Sequence, residues 1–202
     1  MPVIIKDTGQ NNRIEIAPDV LTGGDMRINV RGDNNHILIG NGTRLVKGLI
    51  EIRNKHSTLK IGEHCVLTGT FRLRANYTHL FIGDQTTMMG GKISLHEAGT
   101  IRVGRDCMLS GNIHIDVSDM HSIIDVSTGK RINPPADVEI GDHVWIARSV
   151  QILKGSRIGE NCMVGAAALV NGDFPEGSLL AGVPARVLRS GITWDRRRLP
   201  LD

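Results

Sequence analysis

The sequence predicts an all-β chain wound as a parallel solenoid, and three observations carry that expectation. Over residues 138–170 an aliphatic side chain returns at every sixth place: Ile140, Ile146, Ile152, Ile158, Val164 and Val170. An amphipathic helix needs apolar residues at i+3 or i+4 as well, and a half-buried strand alternates every two, so six fits neither. It fits a chain that makes a short extended stroke, turns and repeats, sending every sixth side chain into a narrow core that only stacked coils can close. Upstream, the pattern aliphatic-x-aliphatic-Gly recurs in ILIGNGTRL, LKIGEHCVL, LFIGDQTTM and IRVGRDCML. Finally, aromatics make up only 3% of residues while 24 glycines stand against 7 prolines, as suits a thin prism with many tight turns and no room for rings.

The elements follow from these rhythms. A first rung is expected around Ile16, in RIEIAPDVL, followed by rungs whose aliphatic before glycine is Ile39, Ile61, Ile82 and Val103. Their steps of 22, 21 and 21 residues exceed three sides of six, so each of these coils carries three or four extra residues at one corner. The glycine suits a corner that needs positive φ or leaves no room for a Cβ. From Val103 to Ile140 the step is 37 residues, so a loop is extruded within residues 116–137. Solenoid insertions map to one face, often the working face, and this one carries Asp119, His121, Asp125, Lys130 and Arg131. The C-terminal coils tighten to 18 residues, Ile140 to Ile158 being one turn. At a strand spacing of about 4.8 Å, seven or eight coils give a rod on the order of 35–40 Å. Past Val170 an irregular finish with Pro175 and Pro184 precedes a last strand at 186–188, and ITWDRRRLP is read as a short terminal helix. The organisation is one β-helix domain over 1–189, with the inserted loop 116–137, and a tail over 190–202.

Composition excludes several classes. The net charge of +3 leaves no nucleic-acid footprint, and the Arg196–Arg197–Arg198 run has no interleaved aromatics, so it reads as a solvated tail. No stretch approaches the ~18 apolar residues of a membrane span, and the N-terminus lacks the layout of a signal peptide, so a cytoplasmic location is expected. Cys65, Cys107 and Cys162 each lie four places after a repeat aliphatic, a slot held elsewhere by Thr43, Thr86, Val144 and Ala168; they read as reduced core fillers without metal spacing.

The stretch VEIGDHVWIARSVQILKGSRIGENCMVGAAALV, followed by GDFPEGSLLAGVPARVLR, resembles the hexapeptide-repeat acyltransferases. Within them it is similar to the O-acetyltransferases of galactosides, maltose and bacterial surface polysaccharides. The match is specific over about residues 113–190. The resemblance implies a left-handed parallel β-helix, a homotrimer, and acetyl-CoA bound in clefts between neighbouring prisms, with no metal. It places the catalytic histidine on the extruded loop, at His121 in SDMHSIID, where a neutral imidazole takes the proton of an acceptor hydroxyl. Asp119, two residues earlier, is the candidate to fix that ring or to hold the acceptor. On the donor side the resemblance assigns Trp145 to the pantetheine arm, Arg148 and Ala166 to its neighbourhood, and Arg186 and Arg189 to the CoA phosphates. Asn171 and Gly172 stand where the family has Thr-Lys, so one phosphate contact is missing, and Ala147 replaces the usual glycine after VWI.

The expected activity is acetyl transfer to a sugar hydroxyl, of a surface polysaccharide or its precursor. Three readings stay open beside it. One keeps the chemistry and changes the acceptor to an amine of a nucleotide-linked amino sugar or to serine. Another is a γ-type carbonic anhydrase, which needs three converging histidines where this chain has only His114 and His121 near the loop. The last is a non-catalytic scaffold.

Overall fold

A computed structural model describes residues 3–201, so residues 1, 2 and 202 of the two expected segments lie outside it. Every regular element is a β-strand, and the coils stack in parallel. One face of the prism is an eight-stranded sheet with one strand from each coil, from Arg13–Ile16 through Thr58–Ile61 and Val138–Ile140 to Asp173–Phe174. Eight coils therefore stack, and the rung expected around Ile16 is the first of them. The other two faces merge into a second sheet because Arg44–Ile52 and Val66–Leu73 run round a corner without a break. Gly69 makes that bend at φ 154°, which side chains resist, and in later coils the same path is split into two short strands.

The six-residue rhythm is the register of the stack. Val103 pairs with Ile140 and Ile140 with Ile158, while Leu109, Ile146 and Val164 form the matching row on the next face. These side chains are buried, and they belong to one continuous core running the length of the rod. Each contributes roughly 1.5–3 kcal/mol by leaving water, which no single coil could collect alone.

At the corner after each repeat aliphatic, space rather than φ explains the glycine. A Cβ on Gly83 would lie 2.6 Å from the Gly104 carbonyl carbon of the next coil, and Gly83 itself is not in the left-handed region. The positive φ falls two residues later, at His64, Gln85, Asp106, His143 and Asn161. The small-residue slot follows. Thr43 Oγ1 donates to Gly62 O at 2.8 Å, Cys65 Sγ to Gly83 O at 3.2 Å, and Cys107 Sγ to Gly141 O at 3.2 Å. The slot thus takes a small side chain, and in these coils one that can bond the carbonyl of the coil above.

At the C-terminus the last strand expected at 186–188 is present, and the expected helix is not. Residues 191–201 contain no helix. The last strand, Ala185–Ser190, folds back antiparallel on Ser178–Gly182, and the segment beyond it returns across the coils. Trp194 is 9% exposed and stacks on His143 with ring centroids 4.3 Å apart, its Nε1 donating to His143 O at 2.7 Å. The arginine run stays exposed, but Arg196 is tied to the prism: its guanidinium donates to Asp106 Oδ1 at 2.9 Å and to Thr87 Oγ1 at 3.1 Å. A buried indole needs a hydrogen-bond partner, and the His143 carbonyl supplies it, so the tail packs as a strap rather than coiling into a helix.

Candidate active site

The inserted loop leaves the solenoid after Ile113–Asp116 and returns at Val138–Ile140. It is a hairpin clipped at its base. Ile132 N donates to Ile123 O at 2.9 Å, and an antiparallel bridge joins Ile124 to Arg131. Asn133, only 6% exposed, is the central clip: its Nδ2 donates to Asp119 Oδ2 and to His121 O, both at 2.8 Å, and its Oδ1 accepts from Ile123 N at 2.7 Å. Arg131 grips Glu97 of the preceding coil with two bonds of 2.6 Å, and Ser118 Oγ donates to the same carboxylate. Arg131 and then Ser118 hold Glu97 down at about 2. Lys154 donates to Asp119 at 2.6 Å and to Pro134 O at 2.9 Å, fastening the loop to a later coil.

These contacts fix the backbone of His121 and leave its ring free. The imidazole is exposed and has no hydrogen-bond partner among the described residues. Asp119 does not orient it. That carboxylate is taken by Lys154 and Asn133, in that order, which lower its pKa. Below the loop opens a cleft of about 310 Å³ lined by His114, Asp116, Ser118, Asp119, Met120 and Gln151. Asp116 is hydrogen bonded to the His96 ring, and desolvation followed by the Lys92 charge depresses the pKa of His114, so its imidazole favours the neutral form. A larger groove of about 790 Å³ crosses the N-terminal coils past Ile16, Lys60 and Glu63, remote from the loop. Volume alone does not make a site; the smaller cleft is the one lined by His114, Asp116 and Asp119.

The donor-side residues occupy other parts of the prism. Trp145 pairs in register with Met108 and Met163 on the face adjoining that of His114 and Gln151. It is half-buried, with the Trp194 ring 6.2 Å away. Ala147 N donates to Val164 O and Gly165 N to Leu180 O, so Ala147, Gly165 and Ala181 form a column without bulk beside it. Arg148 and Ala166 are exposed at the next corner, Asn171 is exposed after Leu169–Val170, and Arg186 and Arg189 stand exposed on the last strand. This narrow strip, with a ring at one side and guanidinium groups beyond it, suits a slender arm ending in phosphates. Within one protomer the strip lies on the face adjoining the one from which the His121 loop departs. Sequence reasoning missed Asn133, Lys154, Glu97 and Trp194, because their partners are set by tertiary contact rather than by the repeat.

Comparisons with known proteins bear on the family and the fold. A family described as bacterial transferase hexapeptide (six repeats) matches residues 137–172. A polysialic acid O-acetyltransferase of Neisseria meningitidis is 38% identical over 149 residues, 74% of this chain and 69% of that protein. The chain is a hexapeptide-repeat acetyltransferase. The crystal structure of the polysialic acid O-acetyltransferase OatWY superposes with a TM-score of 0.92 at 34% identity, covering 98% of this acetyltransferase and 93% of that chain. That of the polySia-specific acetyltransferase NeuO gives 0.85 at 25% identity, covering 96% and 89%. Likeness to OatWY therefore extends over the long N-terminal coils, beyond the repeats that the family pattern matches. Among the described residues of the enzyme no helix is long and apolar enough to cross a membrane, and no group of three or more His, Cys, Asp or Glu could hold a metal ion.

Proposed function

We propose that this acetyltransferase moves an acetyl group from acetyl-CoA to a hydroxyl of a surface polysaccharide or its precursor, with His121 as general base. The observation that carries this reading is the free imidazole of His121, its backbone held by Asn133 on the loop beside Asp119 and Met120, which line the cleft. The acceptor follows the relatives, which are named for polysialic acid. A hydroxyl in the cleft gives its proton to the imidazole as its oxygen bonds the thioester carbonyl carbon. The C–S bond then breaks, and the imidazolium returns the proton to the departing thiolate. Trp145 and the Ala147–Gly165 column would seat the pantetheine arm, with Arg148, Ala166 and Asn171 beside it and Arg186 and Arg189 toward the phosphates.

A homotrimer is part of the proposal. Met120, Ile123, Ile124, Val126 and Ile132 are all exposed on the loop, Val126 to 98%. Such an apolar arm is costly in water and suits docking on a second copy. It would also carry His121 to the donor strip of a neighbour.

The test is acetyl transfer to saccharide acceptors by wild type and His121→Ala. Loss of the base is expected to lower kcat about 10²–10⁴-fold while CoA binding and the folded state persist. Turnover within a few-fold of wild type would remove His121 from this role.

A further inference from the structure

The face that carries the histidine loop continues into the N-terminal coils, where its side chains stand in rows. Val30, Ile52, Leu73 and Leu95 are in register, so the residues after them, Arg31, Arg53, Arg74 and His96, form one row. A parallel row runs Arg27, Leu49, Thr70, Lys92, His114, Gln151. Between them lie Glu51, Arg72, Ser94 and Asp116. All three rows run toward the cleft beside Asp119 and Met120 of the loop, where His114, Asp116 and Gln151 form the wall and His96 bonds Asp116.

The strip is strongly under-neutralised. Arg27, Arg31, Arg53, Arg72, Arg74 and Lys92 stand on it, against two carboxylates in the same rows: Glu51, 4% exposed, and Asp116, which bonds the His96 ring. Glu51 lies 2.8 Å from Arg53, 3.2 Å from Arg74 and 3.6 Å from Arg72. The local excess of positive charge is larger than the +3 of the whole chain. Arg27, Arg31 and Lys92 have no ion-pair partner among the described residues, and the buried Nε atoms of Arg72 and Arg74 make no hydrogen bond, that of Arg72 lying 3.6 Å from Glu51. Cations repeated on successive coils, about 4.8 Å apart, suit a ligand that bears negative charge repeatedly along an extended chain. A single phosphate or carboxylate would use one rung. No Phe, Tyr or Trp stands in these rows to stack a nucleobase.

We propose that this strip holds an acidic polysaccharide acceptor and leads its hydroxyls to the cleft beside the His121 loop. The inference rests on the acetyl-transfer reading and adds where the rest of the polymer lies. It also explains what the long coils contribute. Acceptor quality grows with chain length, because a longer chain engages more rungs.

Polysialic acid fractions of increasing length test it, with neutral dextran and a single-stranded oligonucleotide as controls. Wild type is compared with Arg27→Gln/Arg31→Gln, whose side chains are exposed and anchor no ion pair. Direct binding to immobilised polymer is measured beside turnover. KM of the wild type should fall with acceptor length, and the double variant should raise KM for the longest fraction by about tenfold, the loss shrinking with shorter fractions. Added salt should weaken the wild type more than the variant. The strip is overturned by an unchanged KM on the longest fraction, by equal losses on dextran, or by an oligonucleotide that binds as tightly through the same arginines. Polymer bound through the arginines without acetyl transfer would uphold the strip and sink the acetyl-transfer reading. Transfer with a length-independent KM would do the reverse.

Discussion

At the scale of single residues, the corner slot shows how the solenoid uses a thiol. Burial pushes the Cys107 thiol up to about 12, and desolvation raises Cys65 and Cys162 as well. All three side chains are buried and donate to carbonyl oxygens, so neither access nor thiolate is available for reaction. Iodoacetamide at pH 8 is expected to leave the native protein unmodified and to label all three cysteines after unfolding, as read by intact mass. Rapid native labelling of any one would contradict the packing. Two glycines at different corners make the contrast. Gly83→Ala must push a methyl into the Gly104 backbone and should destabilise by about 1–3 kcal/mol, whereas a Cβ on Gly111 meets nothing within 4 Å. Denaturant midpoints of the two variants check this; equal shifts would refute the spatial account of the repeat glycine.

At the scale of elements, the loop is legible as an insertion and illegible as a structure. The arithmetic of coils places it, since 37 residues stand where about 21 suffice. Nothing in the repeat says that Asn133 will clip it, since its partners lie 10 to 14 residues back within the loop, or that Asp119 will turn to Lys154 of a later coil instead of to His121. The Glu97 tether gives this element a pH signature. Glu97 is held at about 2 against an ordinary 4.5, so its folded pKa is depressed. A depressed carboxylate contributes fully above the unfolded value and loses that contribution as pH falls through the folded one. The loop should therefore stay clipped at neutral pH and loosen between about pH 4.5 and 2. Hydrogen exchange at the Ile123 and Ile132 amides measures it. Glu97→Gln should show faster exchange there already at pH 7, with the core rows unchanged. Exchange that ignores both acid and the substitution would show that the Arg131–Glu97 grip does not hold the loop.

At the scale of the molecule, the six-residue period made the prism legible because every coil repeats the same demand on its core. The strap was not legible, since Trp194 meets His143 at a separation of 51 residues and obeys no period. The arrangement of the site follows from the prism: a protomer shows its histidine loop and its Trp145 strip on adjoining faces, so a trimer that seats each loop on the next subunit would build every site from two chains. That can be tested without a structure of the complex. His121→Ala and Trp145→Ala are each expected to be severely impaired as pure trimers. Mixed by refolding or co-expression, about a quarter of interfaces would pair an intact histidine from one chain with an intact tryptophan from its neighbour, and activity should return to that extent. If both residues served a site within one protomer, no mixture could restore it, and the combined preparation would stay as inactive as its parents.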